Sequence, residues 1–268
     1  MRYSIFFVLI LLPVITFADT RREMKDLELP ARGIDTLVIK CGAGFLHLRG
    51  FDGQDKIQVV SEVLVEGLDE KDLNTFFRKN LLLHLEQQGT KAVLRGVFIR
   101  PTHINPQEAK IDITVRVPRN INVKIDDDSG PISVNDLFGD LEIDDGSGSI
   151  KIENIIGDVR VVDTSGTIEI EELKGNVYVR DGSGRLDINL IEGDVSVVDG
   201  FGSITIQDIG GHVKVWDGSG SIDIHDITKD VSILESDSGE ISIEGVKGTI
   251  IRRDINAPDE EIDKNDVE

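Results

Sequence analysis

The second half of the chain alternates apolar and polar residues with a period of two, in short runs bounded by glycine and aspartate. Ile168-x-Ile170 follows one glycine, and Val177-x-Val179 follows another glycine half a repeat later. Alternating β-branched residues between turn-forming residues are typical of short strands with one buried face. The pattern therefore predicts strands whose intervening residues, such as Glu169 and Tyr178, face solvent.

This pattern recurs every eighteen residues, with an aspartate three residues before the glycine and usually a serine directly before it. A fixed period of this kind indicates a repeat architecture in which only the stack of units forms a core. We therefore predict an all-β fold: a β-solenoid of 18-residue coils with two strands per coil, roughly 34 Å long at ~4.8 Å per coil. The recurring glycines are Gly130, Gly148, Gly166, Gly184, Gly202 and Gly220, followed after nineteen residues by Gly239.

Residues 19–125 are less regular, and we predict that they form an N-terminal α+β cap before the repeats at 126–250. Cys41–Leu48 resembles one repeat and predicts a degenerate first coil. A cap is needed because the open ends of a solenoid are edge strands that invite aggregation. One amphipathic helix is predicted, with Asp69 as its N-cap. Its apolar positions are Leu73, Phe76, Phe77 and Leu81, and strands are predicted at 81–85, 91–99, 111–117 and 121–125.

The two ends of the chain carry different signals. Residues 1–18 combine Arg2, an apolar run over 5–15 and Ala18 before a polar segment, which predicts a cleaved signal peptide. The mature chain is then exported, periplasmic or extracellular, and soluble; an uncleaved N-terminal anchor is the alternative. No second apolar stretch has membrane length. The acidic residues 251–268 lack periodicity and predict a disordered tail.

The repeated motif also resembles a known family. Val117-Pro118, then Asp127-Asp128-Ser129-Gly130 and repeated Asp-Gly-Ser-Gly-x-Ile-x-Ile are similar to the bacterial "putative adhesin" family of β-strand-repeat proteins, a domain family without an assigned function. The resemblance covers residues 35–250 and is strongest over 117–250. It implies a cell-envelope interaction or structural module, and it implies no catalytic residues.

The charge of the chain narrows the class of partner. The formal net charge is −21, and the excess of acid lies between residues 126 and 250. Binding to nucleic acid requires clustered Lys and Arg, so this class of partner is excluded. We expect no cofactor, and we expect a protein or an envelope polysaccharide as the partner, with self-association as an open alternative.

The recurring aspartates have two interpretations. Each can accept amide hydrogens of its own Ser-Gly turn, as in an Asx-turn. Alternatively, carboxylates stacked at one coil spacing can bind calcium, which prefers several oxygen ligands. One carboxylate per coil provides few ligands for calcium, so the Asx-turn is favoured. A calcium-stabilised extracellular rod stays an alternative. These weaker metal candidates are Asp145, Asp163, Asp181, Asp199 and Asp217.

Catalysis finds little support in the sequence. A polysaccharide-acting envelope enzyme on a β-helix scaffold is the alternative, with acidic clusters at 126–128 and 144–145. Neighbouring strand residues point to opposite faces, however, and short coils leave no long loop to build a cleft. The histidines lack metal-ligand spacing. The lone Cys41 lies in a strand-like context that predicts core packing. We therefore predict that the protein is not an enzyme.

One outward column of the predicted coils is partly apolar. An apolar stripe on a rod indicates either a binding surface or side chains that fold over a corner onto the core. Tryptophan is the residue type most enriched at binding hot spots, so Trp216 is expected to dominate any interface. The column and its neighbour give the candidate binding residues Val162, Tyr178, Val198, Trp216 and Leu234.

Overall fold

The computed structural model describes residues 20–99, 104–235 and 239–254, which contain one helix, α1 (Glu70–Asn80), and nineteen strands. The predicted signal peptide, residues 1–18, lies outside the described residues. The strands are β1 (Thr20–Pro30), β2 (Thr36–Cys41), β3 (Leu46–Phe51), β4 (Lys56–Glu66), β5 (Leu81–Gln88), β6 (Lys91–Phe98), β7 (Glu108–Pro118), β8 (Asn122–Asp127), β9 (Ile132–Leu137), β10 (Leu141–Asp145), β11 (Gly148–Ile156), β12 (Val159–Asp163), β13 (Gly166–Lys174), β14 (Val177–Ile191), β15 (Val195–Ile209), β16 (Val213–Ile227), β17 (Val231–Glu235), β18 (Ile241–Glu244) and β19 (Ile250–Asp254).

The repeats stack as parallel strands in register, which confirms the predicted β-solenoid of about seven turns. Val159 lies over Val177, and Val177 over Val195, in one sheet. We call this sheet the front sheet; it contains β8, β10, β12, β17, β19 and the first parts of β14, β15 and β16. The back sheet contains β9, β11, β13, β18 and the last parts of the same three long strands, which run through the Ser-Gly corner.

The core is a column of branched apolar residues inside the coils. One continuous cluster of buried residues extends from Leu37 to Ile233. The predicted alternation holds along the back sheet up to Ile170, but the next buried residue is Leu173, three positions later. Between them Glu172 has a positive φ of 57°. This bend resets the alternation and was not predicted. It recurs in successive coils at Asp136, Asn154, Glu172, Leu190, Asp208 and Asp226, mostly residue types that tolerate this conformation.

The glycine column is a requirement of the stacking. Gly184 has a φ of 150°, and a Cβ placed on it would lie 1.7 Å from the carbonyl oxygen of Gly166 in the coil below. No side chain fits at that distance, and L-residues avoid this backbone conformation. The eighteen-residue recurrence of glycine therefore records where the backbones of successive coils approach each other.

The cap begins with the predicted degenerate coil. β2 and β3 pair in parallel with β8 and β9, with Cys41 beside Asp127 and Leu46 beside Ile132. On their other side lie β6 and β7, so a later part of the chain forms the outer coil. Helix α1 begins after Asp69, whose carboxylate accepts a hydrogen bond from the amide of Asp72 at 2.8 Å. The predicted helix and its N-cap are thereby confirmed.

Two strands at the ends of the described region were not predicted. β1 pairs antiparallel with β4, which in turn pairs antiparallel with β7. β19 pairs in parallel with β17, so residues 251–254 form a strand and are not part of the tail predicted over 251–268. β19 lies at the edge of the stack, and its Ile250 and Ile251 remain 45% and 41% exposed. The tail beyond residue 254 lies outside the described residues.

Replacing Ile188 tests the inward alternation. Ile188 is 1% exposed and lies between Ile170 and Ile206 of the adjacent coils. Ile188→Asp would bury an unpaired charge, and we expect it to abolish cooperative unfolding in a urea titration. Asp187→Ala removes only a surface ion pair with Arg185 and is expected to leave the titration curve nearly unchanged. Similar titration curves for the two variants would show that the assigned alternation is wrong.

Candidate binding surface

The front sheet brings the candidate apolar residues into one outward column. In-register pairing places Val162, Arg180, Val198, Trp216 and Leu234 on successive strands. Arg180 is exposed and the other four side chains are half-buried. The column therefore faces solvent but is partly covered by its neighbours. Tyr178 lies in the adjacent column, two residues before Arg180.

This outward surface differs in charge from the rest of the rod. From β12 to β19 its described outward positions include four cations and no Asp or Glu, although the chain has a net charge of −21. The cations were not predicted as site residues, yet they occupy the same two columns as the apolar candidates. We call this set the acid-free surface; it consists of Arg160, Val162, Tyr178, Arg180, Ser196, Val198, Lys214, Trp216, Ser232, Leu234, Ile251 and Arg253.

The acid-free surface contains a shallow groove at the C-terminal end of the rod. The groove has a volume of about 260 Å³. Trp216, Leu234 and Ile251 give it apolar walls, and Lys214 and Arg253 place a cation on the first and last of its three strands. Apolar walls with a few convergent polar groups are typical of ligand sites.

The recurring aspartates form a second feature, on the inside of the corner between the two sheets. Asp145, Asp163 and Asp181 are 3–4% exposed and stack in register. Each accepts a hydrogen bond from the amide of the serine two residues later, at 3.2–3.3 Å. The Asx-turn prediction is therefore confirmed. The sequence did not predict that the carboxylates are buried. The full ladder is Asp127, Asp145, Asp163, Asp181, Asp199 and Asp217.

Burial changes the protonation of this ladder. It raises the pKa of Asp145 and Asp181 to about 6, and the neighbouring carboxylates of the ladder add to the effect. It raises the pKa of Asp127 to about 7. Cys41 continues the column, and burial together with the charge of Asp127 raises the pKa of its thiol. Asp127 is therefore partly protonated at neutral pH, and Asp145 and Asp181 become so in mild acid, while Cys41 is a buried thiol.

The same geometry bears on metal binding and catalysis. No group of three or more His, Cys, Asp or Glu side chains among the described residues has the arrangement of a metal site. Asp144 faces solvent whereas Asp145 is buried, and the same division separates Asp126 from Asp127. The adjacent acids Asp126 and Asp127, like Asp144 and Asp145, thus do not form facing pairs.

Several solved structures resemble this chain. A "putative adhesin" from Bacteroides fragilis is 12% identical with a TM-score of 0.43, and the match covers 86% of this chain and 97% of that one. A "putative cell adhesion protein" from Clostridium sporogenes is 11% identical with a TM-score of 0.35, covering 87% and 99%. A "putative lipid binding protein" from Parabacteroides distasonis is 15% identical with a TM-score of 0.38, covering 86% and 94%.

The names of the first two are of the kind to which the repeated motif showed a resemblance. No family model matches the chain, and no curated protein matches it. Within the described residues, no helix combines the length and the apolar character that crossing a membrane requires.

The raised pKa values predict that acid stabilises the rod. In the unfolded chain an aspartate has a pKa of about 3.9. A folded pKa of about 6 or 7 therefore means that the folded state binds extra protons between these values. The resulting stabilisation is complete below pH ~4 and is lost as the pH rises through 6 and 7. Urea titrations should give a lower free energy of unfolding at pH 8 than at pH 5.5.

Asp181→Asn provides the matched variant. The amide oxygen keeps the hydrogen bond from Ser183, and the charge disappears. We expect the variant to be more stable than the wild type at pH 8 and to show a smaller change between pH 5.5 and pH 8. An unchanged pH dependence would contradict the assignment of the titration to the ladder.

The Asx-turn geometry also predicts that calcium does not change the thermal stability of the protein. One oxygen of Asp163 is occupied by its own turn, and the neighbouring carboxylates repeat the same arrangement without a second ligand series. Melting curves with excess calcium and with chelator should nearly coincide. A rise of many degrees with calcium would overturn this interpretation, because a ligand specific for the folded state must stabilise it.

Proposed function

We propose that the protein is an exported, non-catalytic module of the cell envelope that binds a partner through the acid-free surface. The observation that carries this proposal is the charge of that surface. Over six strands a chain with net charge −21 keeps acidic side chains out of two adjacent outward columns of the front sheet and places Arg, Lys, Trp and Tyr there. Large apolar side chains beside cations are the composition found in binding hot spots.

Export is the part of the proposal that rests on the sequence. Residues 1–18 have the charge, apolar length and small residue of a secretory signal. A cleaved signal places the rod outside the cytoplasm, where a repeated flat surface can bind an envelope component. The structural neighbours named as adhesins agree with such a role but do not carry the argument.

An envelope enzyme is less well supported than a binding module. Hydrolysis of a polysaccharide requires two carboxyl groups that face each other across the substrate. In this chain the adjacent acids Asp144 and Asp145 point to opposite sides of the sheet. The buried ladder lies inside the rod, where a polymer does not enter.

Trp216→Ser tests the proposed surface. Trp216 is partly exposed between Val198 and Leu234, so its loss should leave the fold intact. Wild-type and variant rods are immobilised, and retention of fractionated envelope proteins and polysaccharides is measured. We expect retention to fall about tenfold, in keeping with the loss of a hot-spot residue. Sedimentation velocity of the free protein shows whether a second copy is the partner instead.

Leu190→Ser is the matched control. Leu190 is 44% exposed, apolar and located on the back sheet, outside the acid-free surface. This variant should retain envelope material as the wild type does. Equal retention and equal sedimentation of the wild type and Trp216→Ser would contradict the proposed surface.

A further inference from the structure

A second, longer groove runs along the front sheet and shares Arg160, Tyr178 and Ser196 with the acid-free surface. It has a volume of about 480 Å³ and is lined by residues from β2 to β15. Six successive strands at ~4.8 Å spacing give it a length of about 24 Å along the rod. One side of this long groove is a row of Asn122, Asp140, Asp158, Asn176 and Asp194; the other side is a row of Lys124, Glu142, Arg160, Tyr178 and Ser196.

The first row is held rigidly by hydrogen bonds between coils. The Asn176 amide donates to Asp158 Oδ1 at 2.8 Å, and the Asp158 amide donates to Asp140 Oδ1 at 3.0 Å. The Asp194 amide donates to Asn176 Oδ1 at 3.0 Å. Only Oδ1 takes part in these bonds, so each carboxylate keeps Oδ2 available as an acceptor. The row therefore presents preorganised acceptors at Asp140, Asp158 and Asp194, with Asn176 between the last two.

The second row supplies donors and a ring. The Arg160 guanidinium lies over the ring of Tyr178, 4.4 Å from its centroid, and fixes the orientation of both side chains. Lys124 forms an ion pair with Glu142. Ser196 and Tyr178 add hydroxyl groups. A ligand in the long groove therefore meets acceptors along one side, and donors and an aromatic ring along the other.

These features discriminate between classes of ligand. Asp140, Asp158 and Asp194 would repel phosphates or other closely spaced anions. An extended peptide commonly binds by adding a strand to a sheet edge, but β8, β10, β12 and β14 are paired on both sides. A hydroxyl-rich ligand matches both rows, because hydroxyl groups both donate and accept and carry no charge.

We propose that the long groove binds an uncharged linear polysaccharide that lies parallel to the rod axis. The inference rests on the proposed role as a binding module, but it assigns a ligand class to a groove distinct from the Trp216 column. Sugar hydroxyls donate to the Asp140–Asp158–Asp194 row, and Tyr178 packs against the apolar face of a sugar ring.

Affinity electrophoresis in native gels tests this proposal. The gels contain hydroxyethyl cellulose, laminarin or mannan, and a parallel gel contains carboxymethyl cellulose as the charged counterpart. We expect at least one uncharged polysaccharide to retard the mature protein and the charged polymer to leave its mobility unchanged. Absence of retardation by all three uncharged polymers overturns the proposal, as does retardation by carboxymethyl cellulose alone.

Two variants locate the ligand. Tyr178→Ser should weaken retardation about tenfold. Asp158→Asn keeps the acceptor for the Asn176 amide, as Asn122 and Asn176 do elsewhere in the row, and should weaken it less. Leu190→Ser, on the back sheet and outside both grooves, should behave as the wild type. Loss with Trp216→Ser and not with Tyr178→Ser would move the ligand to the Trp216 column of the acid-free surface, which overturns the groove assignment and leaves the proposed function standing.

A protein partner is a separate outcome. If a purified envelope protein binds the wild type and not Tyr178→Ser, in the absence of polysaccharide, the ligand class assigned here is wrong. If Trp216→Ser retains envelope material normally while Tyr178→Ser loses an uncharged polysaccharide, the long groove is supported and the Trp216 column is not.

Discussion

The in-register parallel stacking of eighteen-residue coils is the constraint on which the rest of the structure depends. Backbone hydrogen bonds run between coils, so each residue lies directly beside its equivalent one repeat away. A residue type that suits one coil is therefore repeated in the next, as Ile188 between Ile170 and Ile206 shows. The same stacking brings the backbone at Gly184 so close to Gly166 that only glycine fits. Equivalent residues of successive coils therefore form columns in the core, in the turns and on the surface.

Stacking has an electrostatic consequence at the inner corner. An aspartate that caps its own turn is repeated one coil away, so like charges meet in a buried environment. Proton uptake resolves the conflict, and the pKa of Asp127, Asp145 and Asp181 rises accordingly. Each aspartate of the ladder thus gains an Asx hydrogen bond. The burial and mutual repulsion of the ionised carboxylates lower the free energy of unfolding as the pH rises. Cys41 ends the column with a thiol, which avoids one further charge at the junction with the cap.

On the outside, stacking turns small differences between coils into extended surfaces. An outward position that is Arg, Val or Trp instead of Asp in successive coils produces a continuous stripe without acid. One row further along the front sheet, Asp158 and Asn176 tie neighbouring coils together and at the same time border a groove. A flat, rigid scaffold with rows of side chains recognises long partners better than small ones, because each coil adds one contact to the last.

The sequence alone determined the repeated part of the fold and its outward columns. Each coil contacts mainly its neighbours, so the register could be predicted from the spacing of Gly166 and Gly184 and from the alternation around Ile170. The helix could be predicted because Asp69 is a typical N-cap. The tertiary structure decided what depends on contacts distant in the chain. It placed β6 and β7 outside the first coil and paired β1 with β4. The period of two places Asp145 on the same inward face as Ile143, but only the meeting of the two sheets at the corner closes that position to water.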